Sequence, residues 1–255
     1  MNKLIIIIMG IFAATSAFAH EPIYGLGPET LPKHMHAIEL GVMYNLGEFE
    51  YEVGYAYGIT QNWTVRVDAS ATNRSSSFDV RSVTLRTKYA LWRKTAPGVL
   101  KRLTAIAIVK FPTRSSIEPL ANISAATVGI ANGYESRRWY YFSDIGYTYS
   151  WADPNDRLGS KMSYNLAGGI RPIKSGYLKP DLVILIEING ELSGKTTLDS
   201  TNEVLKGGNT LAMAPGFLLS YRNIMLKGGI QFGIANTKYI NKVSSNGLLS
   251  LEYHF

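Results

Sequence analysis

Alternation of apolar and polar residues is the feature of this sequence that most constrains its fold. From residue 36 onward, large apolar side chains occupy every second position, and small, polar or charged residues stand between them. The longest such runs cover residues 49–59, 63–71, 139–151 and 224–234. Because successive side chains of a β-strand point to opposite faces, this period predicts strands with one apolar and one polar face.

The distribution of aromatic residues indicates where the apolar face points. In a soluble sandwich that face would form the core, but here the aromatic residues concentrate near its ends, as in the girdles of a membrane barrel. Tyr, with 16 residues, outnumbers the 9 Phe and 4 Trp taken together, and Tyr suits a surface that is half apolar and half wet. We therefore predict an all-β fold, a transmembrane antiparallel up-and-down β-barrel.

The turns between alternating segments predict about twelve strands, with ten as the alternative count. An even count places both chain ends on the periplasmic side. Two of the predicted periplasmic links are long, 93–102 and 172–180, and the longest link on the opposite side is 191–209. The predicted strands are 36–44, 49–60, 63–72, 80–92, 103–111, 123–132, 138–151, 162–171, 181–190, 210–221, 223–234 and 246–255.

The N-terminal segment has the pattern of a secretory signal peptide. Lys3 precedes the apolar stretch 4–12, and Ala17-Phe18-Ala19 is a small-x-small cleavage site. A retained membrane anchor is the alternative, but the stretch is short for a membrane span. We expect cleavage after Ala19, a periplasmic tail or plug over 20–35 and an outer-membrane barrel over 36–255.

The chain end carries a second export-related signal. Leu249, Leu251, Tyr253 and Phe255 alternate up to a terminal aromatic residue. This resembles the C-terminal signature by which barrel assembly machinery recognises its substrates. An ordinary edge strand is the alternative, although an exposed apolar edge in a soluble protein would invite aggregation.

The polar face carries charged residues that we predict to line the lumen. They form either a salt-bridge network that fills the interior or a polar path for solute. Their signs nearly balance, which argues against strong ion selectivity. The net charge of +7 is modest and not clustered, so no nucleic-acid partner is expected. The predicted lumen residues are Glu39, Glu50, Glu52, Arg66, Asp68, Arg86, Lys88, Asp144, Glu187 and Lys227.

Histidine and cysteine content bears on catalysis and metal binding. The absence of Cys excludes disulfides, thiolate metal sites and cysteine nucleophiles. None of the four His lies at the predicted extracellular rim, so we expect no enzyme and no catalytic residues. After cleavage, His20 would carry a free α-amino group, and with His34 and His36 it could bind Cu or Zn; a tail with incidental His is the alternative. No other cofactor is expected.

The tail also carries a family resemblance. The segment 22–31, PIYGLGPETL, precedes the first predicted strand. It resembles the start of a family of outer-membrane barrels named for transport or for the meta-pathway of phenol degradation. The resemblance implies small-molecule passage and supplies no catalytic residues. Pro22 and Pro28 forbid regular ladder pairing, and Gly25 and Gly27 permit tight turns, so the tail is predicted to fold into the periplasmic mouth.

These observations predict an outer-membrane channel for a small solute, hydrophobic or aromatic by the resemblance alone. A sealed structural or surface-interaction barrel without transport is the alternative. In that case the loop residues Lys195, Lys206, Lys238 and Lys242 would face lipopolysaccharide or a partner. The expected partners are outer-membrane lipid and lipopolysaccharide, the barrel assembly machinery and a small-molecule solute.

Overall fold

The computed structural model describes residues 21–45, 47–74, 77–113, 123–151, 159–173, 179–198, 203–205, 207–236 and 245–255. This part of the chain consists of β-strands and their connections. The strands are β1 His36–Asn45, β2 Glu48–Gly58, β3 Trp63–Arg74, β4 Ser77–Ala96, β5 Val99–Pro112, β6 Ser124–Ser136, β7 Trp139–Trp151, β8 Lys161–Ile170, β9 Asp181–Ser193, β10 Thr196–Leu198, β11 Glu203–Leu205, β12 Gly208–Tyr221, β13 Ile224–Asn236 and β14 Ser245–His254.

Twelve of these strands form one closed antiparallel barrel in which each strand neighbours the next along the chain. The small strands β10 and β11 stand apart from it and pair only with each other. The barrel closes where β1 pairs with β14. The predicted fold class and the count of twelve strands are therefore confirmed, and the ten-strand alternative is wrong.

The barrel has two ends, which we name by their connections. The terminal rim contains His36 and His254, where the first strand begins and the last strand ends, and the loop rim is the opposite end. Large apolar side chains cover the outer face at mid-height, among them Leu40, Val53 and Ile145. Such an apolar band is more stable in contact with hydrocarbon than with water. No helix in the described ranges is long and apolar enough to cross a membrane.

The strand that ends the chain makes the closing seam. In the register of β14 against β1, Leu251 pairs with Leu40 and Tyr253 pairs with Ile38. The Phe255 N–H donates to the His36 carbonyl oxygen over 2.9 Å. The predicted signature residues all point outward, with exposed side chains: Leu249, Leu251, Tyr253 and Phe255. Their recognition by assembly machinery stays a prediction.

Two predicted links are wrong in extent. The link 93–102 is largely strand, because β4 continues to Ala96 and β5 begins at Val99. Only Pro97 and Gly98 remain between these strands, and Gly98 takes a φ of 74° that suits a tight turn. The link 191–209 likewise contains the end of β9, the β10–β11 pair and the start of β12. Charged and polar residues interrupt the apolar–polar alternation in both segments, so the sequence did not predict strands there.

The interior is less uniformly polar than the sequence predicts. One wall carries a buried apolar cluster that includes Phe142, Val183, Leu185 and Leu218. On β9 the inward positions Val183 and Leu185 lie between outward apolar residues, so both faces are apolar there and alternation vanishes. The prediction of a polar inner face is therefore wrong for this wall, which is packed against the N-terminal segment.

Candidate functional site

The N-terminal tail lies inside the barrel. We use this name for residues 21–35, the described part of the chain before β1. From β1 the tail passes Gly58, whose carbonyl oxygen accepts from the His34 N–H, and then runs along the inner wall. It contacts strands on all sides of the lumen, as the following contacts show. The candidate functional site is therefore the interface between the tail and the inner wall.

Two carboxylates of the wall hold backbone amides of the tail. Glu187 on β9 accepts hydrogen bonds from the Ile23 N–H and, over 3.0 Å, from the Tyr24 N–H. Asp144 on β7 accepts from the Leu26 N–H over 3.0 Å. A carboxylate that accepts from backbone N–H groups forms stronger hydrogen bonds than a neutral acceptor does. These contacts fix the innermost turn of the tail.

Side-chain contacts secure the rest of the tail. The Lys88 ammonium pairs with Glu21, and the Arg102 guanidinium pairs with Glu29 over 2.5 Å. The Thr104 hydroxyl donates to the Pro28 carbonyl oxygen over 2.6 Å. Each of these contacts joins the tail to β4 or β5. The tail is thus held on this side of the lumen by the Lys88–Glu21 ion pair and by hydrogen bonds to Glu29 and Pro28.

The pKa values of the two tail carboxyl groups, Glu21 and Glu29, shift in opposite directions in this environment. Burial raises the pKa of Glu21, but the positive charges of Lys88 and Lys227 outweigh burial and hold this pKa below its ordinary value. Burial, together with the nearby Glu135 carboxyl, raises the pKa of Glu29 to about 8, although Arg102 acts in the opposite direction. Glu21 therefore stays ionised in its ion pair, whereas Glu29 titrates near neutral pH.

Glycines of the wall form sockets for apolar tail side chains. A β-carbon placed at Gly129 would lie 2.8 Å from Cδ1 of Leu26, and one at Gly133 would lie 2.6 Å from Cγ of Pro28. Ile23 fills a similar socket on β12 and β13. Real β-carbons do not approach other atoms this closely, so the wall has room for these side chains only because glycine stands there. The wall is shaped to the tail.

A socket substitution should therefore loosen the tail. We expect Gly133→Ala to weaken the seating of the tail by about 1–3 kcal/mol, the usual cost of overpacking. Pro28→Ala removes the overlapping Cγ and should restore seating in the double variant. Protease cleavage of the tail in folded, detergent-solubilised protein measures the effect. Gly168→Ala and Gly247→Ala are matched controls, because no atom lies within 4 Å of a β-carbon at either position. Equal cleavage of Gly133→Ala and the controls would refute the socket.

Opposite the apolar wall, a charged cluster gathers five of the predicted lumen residues. Arg66 is its centre: Nη1 lies 2.5 Å from Glu39, Nε lies 2.5 Å from Asp68 and Nη2 lies 3.3 Å from Glu52. Lys227 approaches Glu39 to 2.9 Å. Glu39 and Asp68 are buried, so these ion pairs are shielded from water. The cluster is a salt-bridge network, as one of the two interpretations of the sequence required.

The remaining predicted lumen residues are less tightly engaged. Arg86 lies 3.9 Å from Asp68, a long ion pair. Glu50 points inward nearer the loop rim, where it pairs in register with Thr72. Between the tail and the charged wall, a cavity of about 70 Å³ remains. Its lining includes Glu21, Glu29, Thr30, Arg66, Arg86 and Lys88. A cavity of this size and polarity has room for several water molecules.

The histidines of the predicted metal site lie at the terminal rim. His34 Nδ1 is 2.8 Å from the Tyr57 hydroxyl, and His36 Nδ1 is 2.7 Å from the Tyr55 hydroxyl. His20 lies outside the described residues. Within the described ranges, no group of three or more His, Cys, Asp or Glu has metal-binding proximity. Copper or zinc binding stays a prediction, which metal titration of the mature protein against a His20→Ala variant tests.

Sequence reasoning missed several residues of the site. The alternation placed Glu187 and Asp144 in the lumen, but nothing local indicated that they accept from tail amides more than 100 residues away. The amide side chains that line the interior, Asn165, Asn189, Gln231 and Asn246, were not singled out. Their inward position follows from the same period that located the charges, and it was available in the sequence.

Comparisons with solved structures show the same fold. An outer membrane channel from Pseudomonas putida F1 has a TM-score of 0.68 and 11% identity, over 93% of this chain and 100% of that one. The NanC porin has a TM-score of 0.54 and 8% identity, over 86% and 98%. The KdgM porin, solved with disordered oligogalacturonate, has a TM-score of 0.50 and 9% identity, over 86% and 99%. No protein-family model and no curated protein matches the chain. The phenol-degradation label therefore stays a hypothesis.

Proposed function

We propose that this protein is an outer-membrane channel for a small solute and that the tail is its plug. The observation that carries the proposal is the set of hydrogen bonds from Glu187 and Asp144 to backbone amides of the tail. Such contacts hold a segment in place without linking it covalently, and water can replace them when the segment leaves. A barrel that needed only a filled interior could use its own side chains.

The outer-membrane location rests on three lines of support. The outer face carries an apolar band, and aromatic side chains stand near both rims, such as Trp63 and Trp139 at one and Phe49 and Trp151 at the other. The sequence begins with a predicted signal peptide. The barrel shares its fold with an outer membrane channel and with porins. Lipid, lipopolysaccharide and the assembly machinery are the partners that this location implies.

The sealed structural barrel is the second candidate function. The plugged lumen favours it, because ion pairs and apolar contacts fill the inner wall around the tail. In that case surface residues such as the exposed Lys195 would contact lipopolysaccharide or a partner. Lys206, Lys238 and Lys242 lie outside the described residues. We propose no enzymatic activity.

Single-channel recording of the refolded mature protein in planar bilayers distinguishes the two candidates. The channel proposal predicts discrete openings, in the intact chain or after removal of the tail. Silence of both forms, with the barrel shown to be folded by its heat-modifiable mobility on gels, would favour the sealed barrel and end the channel proposal.

Opening should also depend on pH through Glu29. Its pKa in the seated tail is about 8, above the ordinary value of 4.5, so seating is favoured while this carboxyl is protonated. That stabilisation is complete below about pH 4.5 and is lost as the pH rises through 8. We expect more frequent openings at pH 9 than at pH 5. The ionisable groups that act on Glu29 or interact with it are Arg102, Glu135, Glu21, Arg93 and Tyr140.

The matched variant for this prediction is Glu29→Gln, which stays neutral at every pH. It should open rarely at both pH values, so the difference between pH 5 and pH 9 should shrink strongly. An intact chain that opens equally at both pH values, or a variant that keeps the full difference, would show that Glu29 does not control the seating of the tail.

A further inference from the structure

A continuous row of amide side chains lines the inner wall beside the tip of the tail. Asn189 Nδ2 donates to Asn165 Oδ1 over 2.9 Å, and Gln231 Nε2 donates to Asn189 Oδ1 over 2.9 Å. Asn246 Nδ2 donates to Gln231 Oε1 over 3.4 Å. The row therefore joins residues of β8, β9, β13 and β14 and passes over β12, which lies between β9 and β13. We call these four residues the amide row.

Both ends of the amide row are linked to the tail by hydrogen bonds. Asn165 Nδ2 donates over 2.6 Å to Asp144, the same carboxylate that accepts from the Leu26 N–H. At the other end, the Asn246 backbone carbonyl oxygen accepts from the Tyr24 hydroxyl over 3.1 Å. The row thus runs beside the innermost turn of the tail. A solute that enters from the loop rim and reaches this turn would contact the row.

In the part of the chain that the structure describes, the amide row has hydrogen-bonding capacity that is left unused. A primary amide has two N–H donors and an oxygen with two lone pairs. Asn165, Gln231 and Asn246 each donate once, Asn189 donates to Asn165 and to Glu187, and Asn165, Asn189 and Gln231 each accept once within the row. Among the described residues, Asn246 Oδ1 is buried and has no hydrogen-bond partner.

The row also differs in charge from the rest of the lumen. Its four members are neutral, whereas the charged cluster is centred on Arg66 of β3, and the cluster member Lys227 stands on β13, four residues before Gln231. Of the neighbouring carboxylates, Asp144 and Glu187 accept from tail amides, and Glu191, two residues from Asn189, pairs with Lys161. Paired donors and acceptors without net charge match hydroxyl groups, each of which both donates and accepts. The row itself therefore offers no counter-ion to a charged solute.

We propose that the amide row is a binding site for a neutral, polyhydroxylated solute such as a small sugar. This inference rests on the proposed channel function, because it names the class of solute that would reach the plug. It differs from the aromatic solute that the family resemblance implies. It is also open to a test that requires no open pore.

The test is equilibrium binding to the refolded mature protein in a detergent without a sugar headgroup. Saturation-transfer NMR detects weak ligands, and the probes are maltose, anionic glucuronate, cationic glucosamine and phenol. We expect maltose to bind best. Gln231→Met, which keeps the shape and removes the amide, should weaken maltose binding by about tenfold, as expected for the loss of one to two hydrogen bonds. Thr127→Val is the matched control, because it removes a hydroxyl elsewhere on the inner wall.

A second variant guards against misfolding of the first. Gln231→Glu keeps a polar side chain of similar shape and should weaken maltose binding while it strengthens glucosamine binding. Preference for phenol or for a charged probe in the unaltered chain, or maltose binding that neither Gln231 variant changes, would overturn the proposal. A silent pore with intact maltose binding would refute only the channel function, and an open pore without maltose binding would refute only the site.

Discussion

Removal of residues 20–35 is expected to raise the conductance of the barrel several-fold. In the structure the described part of this segment lies across the lumen and contacts Lys88, Arg102, Asp144 and Glu187. Without it, these groups face an open interior, where water can solvate them. Twelve strands enclose more space than the eight-stranded barrels that side chains fill, so a water-filled path should result.

Planar bilayer recording of the deletion variant beside the intact mature chain measures this effect. Both proteins must first show the shift in gel mobility on heating that marks a folded barrel. The control is Glu21→Gln, which weakens one ion pair but leaves the tail in the lumen and should raise conductance less than the deletion does. A folded deletion variant with the conductance of the intact chain would show that the tail does not obstruct the path.

Replacement of Arg66 should have the largest effect on the stability of the barrel. Its guanidinium forms ion pairs with Glu39, Asp68 and Glu52. The Glu39 and Asp68 side chains are buried. Arg66→Met leaves like charges close together without their shared partner. Loss of one partner of a buried ion pair costs about 3–5 kcal/mol. We expect a decrease of that size in the free energy of unfolding, measured by urea denaturation in lipid vesicles.

The double variant Arg66→Met/Asp68→Asn separates lost attraction from new repulsion. It removes one of the carboxylates that lose their close partner in the single variant, so it should be more stable than Arg66→Met alone. Lys161→Met is the control, because its 3.5 Å pair with Glu191 is exposed and an exposed pair contributes about 0–1 kcal/mol. A loss for Arg66→Met no larger than that of the control would contradict the role of the cluster.

The outer face and its strands could be predicted from the sequence because they depend on local alternation. A residue such as Leu40 or Val53 faces outward for the same reason that Glu39 or Glu52 faces the lumen. Prediction failed where both faces are apolar, as at Val183. It also failed where polar residues continue a strand, as in the hairpin around Pro97.

The interface between the tail and the wall could not be predicted in the same way. The contact of Ile23 with Glu187 joins residues 164 positions apart, and it exists only once the barrel has closed. The sequence indicated a plug through Pro22 and Pro28, but not which wall residues would receive it. The glycine sockets have a signal of another kind, since Gly133 stands at an inward strand position where glycine is otherwise unfavourable.

A reversible tether of the tail to the wall tests the central claim most directly. The chain contains no cysteine, so Pro28→Cys/Gly133→Cys introduces a unique pair. Cγ of Pro28 lies 2.6 Å from a β-carbon at position 133, so the side chains at these two positions are adjacent. Single-channel recording of this variant should show no openings when oxidised and openings after reduction. Equal behaviour in the two states would contradict the account that the tail must move for the channel to open.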